Sequence, residues 1–282
     1  MIRETGETGG RQPKGFDPRA ILRAMEKERS RTEPHDNERA YQSQQLVYDA
    51  WEAATDDREA QLMARALKLN PGNVDALLYM MDAARLSSEE EIEALQNIVA
   101  IGQEQLGAKE FKELEGHFWV VIETRPYMRA RQKLSECLRE AGRFDEAIVQ
   151  YEEMLVLNPN DNQGVRYLLL PLYLTVGRLE PAQELITKYQ ESNFNVVFAW
   201  CQVLERVLMG DRPAAKKALG IARKQNPNME VYIKGHRDLP RQLPDAYSPG
   251  SKEEALCFAE VLRAAWKKHP EALEWLATQK MK

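Results

Sequence analysis

The sequence is poor in the residues that build chemistry. Only three cysteines occur among 282 residues, at Cys137, Cys201 and Cys257, and no two form a CxxC pair. That argues against a disulfide framework, and the cysteines read as small core residues in a reducing compartment. Four histidines occur, His35, His117, His236 and His269, and none stands in an HExxH pattern. No metal, cofactor or catalytic residue is therefore expected. The words GxxxxGK[ST], GxGxxG and GxSxG are missing, which removes the phosphate-loop, dinucleotide and nucleophile-elbow readings. No apolar run reaches membrane length. The longest, Tyr167 to Val176, is about half a span and contains Pro171. The polar, glycine-rich start, Met1 to Lys14, has no apolar core, so no secretory signal is expected and a soluble cytoplasmic protein is. A net charge of -5 offers no general attraction for nucleic acid.

Alternating strand patterns are also scarce, and helical periodicity fills the chain. With 43% apolar residues a core can form. Residues 1–15 read as a disordered tail. Residues 16–36 read as a short charged helix, capped by Asp17 with Pro18 at its first position, followed by a polar break. Another helix is expected from Asn37 to about Ala54.

Asn-Pro recurs at Asn70-Pro71, Asn158-Pro159 and Asn226-Pro227, and Pro159 to Pro227 spans 68 residues, two units of 34. Thirty-four residues is the period of tetratricopeptide repeats, pairs of helices joined by a turn. Three units fit between 128 and 227. In the first, Leu134 and Leu138 stripe one helix, Gly142-Arg143 turns, and Ala147, Tyr151 and Leu155 face the core of a second helix. Gly177-Arg178 with Ala182, and Gly210-Asp211 with Ala215, repeat the theme. Arg131 and Ser135 stand where the strict repeat signature has Trp and Gly. Pro71 to Pro159 spans 88 residues, not a multiple of 34, so residues 37–127 should hold degenerate and irregular repeats. There, helices are expected over 73–86, from a Ser88/Glu91 capping box to about Leu106, and over 111–122. Thr124 is a candidate cap, with Pro126 opening the next helix. Ser251 to Glu254 reads as a capping box, and Pro270 as the start of a last helix. Residues 228–276 should therefore form an ordered irregular segment plus capping helices, with Leu243 and Tyr247 buried. The fold expected is an all-α superhelical solenoid.

Three stretches go beyond the generic repeat: Gly116-His-Phe-Trp-Val-Val-Ile-Glu-Thr-Arg-Pro-Tyr-Met-Arg-Ala-Arg131, Asn158-Pro-Asn-Asp-Asn-Gln-Gly-Val-Arg-Tyr167, and Leu239-Pro-Arg-Gln-Leu-Pro-Asp-Ala-Tyr-Ser-Pro-Gly250. Over about residues 110–276 the chain resembles the short bacterial tetratricopeptide relatives of the suppression-of-tumorigenicity family. The resemblance implies helical repeats and no established catalytic residues. Animal members resemble membrane proteins, a location that does not transfer to a chain without a spanning segment.

Function is expected to lie in binding an unidentified protein or peptide along the first helices of the repeats. Arg129, Gln132, Glu136, Arg166, Tyr167 and Trp200 should project into that groove, with Arg237 and Arg241 near one end. Gln132, Glu136 and Cys201 do not match a carboxylate clamp. Two alternatives stand beside this reading. One is an enzyme or small-molecule site around His117 and Trp119, with Glu115 and Tyr247. The other is a nucleic-acid-binding array on the basic region 206–241, which has nine basic and three acidic residues. Region 82–115 has the reverse balance, nine acidic and three basic. Solvated helix faces explain such runs most simply; an acidic ligand at the C-terminal half and self-association between the opposite patches are the other options.

Overall fold

The computed structural model describes residues 37–280, and every regular element among them is helical. The expectations for residues 1–36 lie outside the described residues. Six helices precede α7: α1 (Asn37–Trp51), α2 (Asp56–Leu69), α3 (Val74–Ala83), α4 (Ser88–Leu106), α5 (Ala108–Glu113) and α6 (Arg125–Glu140). The remainder are α7 (Phe144–Leu157), α8 (Arg166–Thr175), α9 (Leu179–Tyr189), α10 (Val196–Leu208), α11 (Arg212–Gln225), α12 (Met229–Ile233), α13 (Lys252–Lys267) and α14 (Pro270–Thr278). None of these is long and apolar enough to cross a membrane. The chain divides into two compact units after Asn162.

The turns α6–α7, α8–α9 and α10–α11 share one geometry. Gly142, Gly177 and Gly210 adopt φ of 75°, 75° and 78°, a left-handed conformation that favours glycine. The next residue then reaches back into the first helix: Arg143 N–H donates to Leu138 O, Arg178 to Tyr173 O and Asp211 to Arg206 O. This closure satisfies helix-end carbonyls and turns the chain sharply. Five residues after each glycine stands a fully buried alanine, Ala147, Ala182 or Ala215. Each donates its N–H to the residue after the glycine. A small side chain there lets the two helices approach.

The Asn-Pro words end second helices by a second shared device. Asn70, Asn158 and Asn226 take extended or near-extended backbone, as the residue before proline prefers. Each still donates to a carbonyl four residues back, and its own carbonyl accepts from Asn73, Asp161 or Met229. The side-chain oxygens of Asn70 and Asn226 accept from Gly72 and Asn228 at 3.1 and 2.9 Å, which rounds the turn.

Residues 107–124 account for most of the excess length between Pro71 and Pro159. Gly107 and Gly116 sit at φ 73° and 83°, and α5 ends at Glu113. The helix expected over 111–122 is therefore replaced by a short helix and a tight turn. Phe111, Phe118 and Tyr127 meet edge-to-face with centroids 4.8 to 5.9 Å apart and pin this insertion to α6. Phe118 N–H donates to Leu157 O at 3.1 Å, which sets it beside the end of α7. Thr124 does not cap; its hydroxyl donates to the Phe118 and Val121 carbonyls instead. The capping box of α4 belongs to Ser87 and Glu90, one residue earlier than expected. Arg131 is buried, and its guanidinium is satisfied by Tyr127 OH at 2.8 Å, Gln150 Oε1 and Glu153.

In residues 163–280 the last helices fold back. α12 ends in the same glycine closure, at Gly235, but the next helix begins only at Lys252. α13 then packs on α8 and α10 as well as α12, and α14 packs on α10 and α13. Ser251 caps α13 by accepting from Glu254 N–H at 3.0 Å. The Glu254 carboxylate turns to Gly250 N–H and Asn226 instead of completing the box. Arg223 donates two bonds to buried Glu230 and others to the Gln279 and Lys280 carbonyls, tying the end of α14 to α11. Burial alone would raise the Glu230 pKa, but the hydrogen bonds from Arg223 and Lys234 outweigh it and hold the carboxyl below its ordinary value.

Candidate functional site

The first helices of residues 37–162, α1, α3 and α6, converge on one polar and aromatic cluster. Asn73 caps α3 by accepting from Ala76 N–H at 3.0 Å, and its amide donates to Ser43 and Gln44 of α1. Asp75, in the first turn of α3, accepts from Gln44 Nε2 at 2.9 Å. It also takes Arg129 of α6 in a fork, Nε at 2.8 Å and Nη2 at 2.6 Å. The Arg129 guanidinium lies over the Trp51 ring, 5.2 Å from its centroid, and Tyr48 tilts against Trp51 at 5.5 Å. Asp75 is buried while the Arg129 side chain keeps 31% of its surface and Trp51 keeps 38%.

The chemistry follows from that geometry. Asp75 neutralises Arg129 and fixes its plane, so the cluster holds no net attraction for an anion. Nη1 of Arg129 carries no partner among the described residues and can donate to a carbonyl. The Trp51 ring, with Arg129 over it and Tyr48 tilted against it, still leaves 38% of the residue's surface open beside that group. One turn on, Gln132 Nε2 donates to Glu136 Oε1 at 3.0 Å. Burial pushes the Glu136 pKa up, against the hydrogen bond from Gln132 and the charge of Arg139. Arg129, Gln132 and Glu136 thus all lie half-exposed on α6.

The other expected site residues are placed differently. Trp200 is fully buried, its ring 6.1 Å from that of Trp266 of α13 in an edge-to-face pair. It cannot face a ligand, because α13 occupies the face on which it was expected to project. Arg166 and Tyr167 both spend themselves on Glu191, by Nε to Oε1 at 3.0 Å and OH to Oε2 at 2.8 Å. Arg166 also stacks on the Tyr167 and Tyr189 rings. Burial, helped by Glu191, pushes the Tyr167 hydroxyl up to about 12. Arg237 and Arg241 are exposed on the segment between α12 and α13. Leu243 and Tyr247 on that segment are not buried: they keep 40% and 48% of their surface, and Tyr247 rests on Phe258 at 5.5 Å. With one aromatic neighbour on α13, the tyrosine is propped and not enclosed.

His117 and Glu115 are both exposed, and the Trp119 ring is taken by Arg125, whose guanidinium lies 5.3 Å from its centroid and whose Nε donates to Trp119 O. Among the described residues no three His, Cys, Asp or Glu side chains cluster as metal ligands. Sequence reasoning missed Trp51 and Asp75. Asp75 reads as an ordinary first-turn acid after the Asn73 cap. The spacing Tyr41, Tyr48, Trp51 along α1 was the available signal. No protein-family profile matches the chain, and no curated protein sequence matches it.

Proposed function

We propose that this chain is a tetratricopeptide-type scaffold without catalysis of its own, binding an extended peptide on the face formed by α1, α3 and α6. The glycine closures at Gly142, Gly177 and Gly210 support the repeat reading, because their spacing brackets the 34-residue period. The carrying observation for binding is the exposed Trp51 ring beside an Arg129 oriented by Asp75. A peptide carbonyl fits Arg129 Nη1, and a proline or aliphatic side chain fits Trp51. Selection of random peptides displayed on phage against the full chain tests this. Selected peptides should lose about tenfold or more in affinity with Trp51→Ala and with Arg129→Ala. Lys224→Ala, far from the cluster in sequence and in the other unit, should leave affinity unchanged. Failure to select any peptide, or indifference to both first substitutions, would sink the reading.

A further inference from the structure

Two second helices carry opposite anomalies at matching positions. α7 has four acidic residues, Asp145, Glu146, Glu152 and Glu153, and no basic one. Its outer face exposes Val149 and Val156 by 52% and 53%. α11 has five basic residues, Arg212, Lys216, Lys217, Arg223 and Lys224, and no acidic one. Its outer face exposes Lys216, Lys217 and Lys224 around Gly220. Counted from the buried alanines Ala147 and Ala215, Val149 corresponds to Lys217, Glu152 to Gly220 and Val156 to Lys224. Those three positions lie on one helical face.

Within the chain Glu146 pairs with Arg143 and Glu153 with Arg131, but the exposed valines of α7 and the bare Gly220 of α11 have no account there. Glycine in a helix interior weakens the helix relative to alanine. A Cβ at Gly220 would meet nothing within 4 Å, so no neighbour demands its absence. Two half-exposed valines three to four residues either side of a carboxylate gain nothing from water. Joined, the two faces resolve each other. Gly220 lets a second helix approach closely. The lysine stems cover the valines while their ammonium groups reach the α7 carboxylates.

From this charge and shape complementarity we infer that α7 of one copy of this chain docks against α11 of a second copy. The contact is heterologous: two different faces meet, and each copy offers both. It stands independently of the peptide-binding proposal, which uses the first helices.

Sedimentation velocity of the full chain across a concentration series tests it. The wild type should associate at low salt and dissociate as salt rises toward about 1 M, where charge pairs are screened. Lys217→Glu with Lys224→Glu should give a folded monomer, and so should Val149→Lys with Val156→Lys. Mixed one to one, those two monomers should associate, because the mixture retains one native α7 face and one native α11 face. Gly220→Leu should weaken association by about tenfold or more without lowering the melting midpoint. A wild type that stays monomeric at every concentration overturns the inference. So does association untouched by both double substitutions, or a mixture of the two monomers that stays monomeric. Melting curves recorded first separate loss of contact from loss of fold.

Discussion

In residues 37–162, the cluster on α1, α3 and α6 leaves Trp51 and Arg129 part-exposed. In residues 163–280, α8 and α10 are covered by α13, and Trp200 disappears beneath Trp266. Both units use the same glycine closure and the same buried alanine, so the difference does not arise in the helix pair. It arises after α12. There the glycine closure at Gly235 is followed by a long segment in place of an immediate second helix, and that segment carries α13 back over the earlier first helices. The same glycine closure therefore follows α6, whose face stays part-open, and α8 and α10, which α13 covers. A first-helix aromatic is a candidate contact only where no later helix returns to it.

The largest expected effect tests whether α13 is integral to its unit. Trp266→Ala should lose about 3–5 kcal/mol of stability in urea denaturation, the cost of an aromatic-sized cavity. A loss below about 1 kcal/mol would mean that α13 is a loosely held strap and that the α8–α10 face can open. Ala147→Leu and Ala215→Leu should each cost about 1–3 kcal/mol through overpacking. Similar melting shifts for the two would sharpen the equivalence of the turns across the units, and a silent substitution at either site would break it.

A smaller effect is expected at Glu205 of α10. It is buried, neither carboxylate oxygen has a hydrogen-bond partner, and Arg206 Nε stands 3.2 Å away without bonding geometry. Burial pushes its pKa up, against the charge of Arg206. The folded state then holds this proton more tightly than the unfolded chain. Its contribution to stability is present below the ordinary carboxylate pKa and is lost as pH rises through the folded one. Glu205→Gln should therefore gain about 1 kcal/mol at pH 7, a gain that fades toward about pH 4. Denaturation at the two pH values checks it, and a gain of equal size at both would remove the carboxylate from the account. Least is expected of Trp51→Ala. A side chain on the open face should shift stability by under about 1 kcal/mol while it removes peptide binding. A large loss of stability would make Trp51 a core residue of its unit.

Much of the local structure was legible because its causes are local. Gly142, Gly177 and Gly210 close helices through a left-handed backbone, and Asn-Pro ends them because proline forces its predecessor out of the helix. The α4 cap slipped by one residue because Ser87/Glu90 and Ser88/Glu91 both fit the capping-box spacing, and backbone geometry chose between them. Residues 111–122 looked helical because Phe111, Phe118 and Val121 are apolar at nearly helical spacing. Gly116 and the Phe118–Leu157 hydrogen bond turned them into an insertion instead.

Outside residues 107–124, the sequence by itself determined the helices, their pairing through glycine turns at Gly142, Gly177 and Gly210, and the small buried alanines, since each follows from backbone torsion and side-chain size within a few residues. Which first-helix faces stay open was decided only by the tertiary structure. An apolar stripe with Trp200 has the same periodicity whether a ligand or the chain's own helix covers it. Only the return of α13, more than fifty residues later, shows that its partner is Trp266. Likewise Asp75 and Arg129 are unremarkable charges on separate helices until α3 and α6 pack together, and their fork beside Trp51 exists only there.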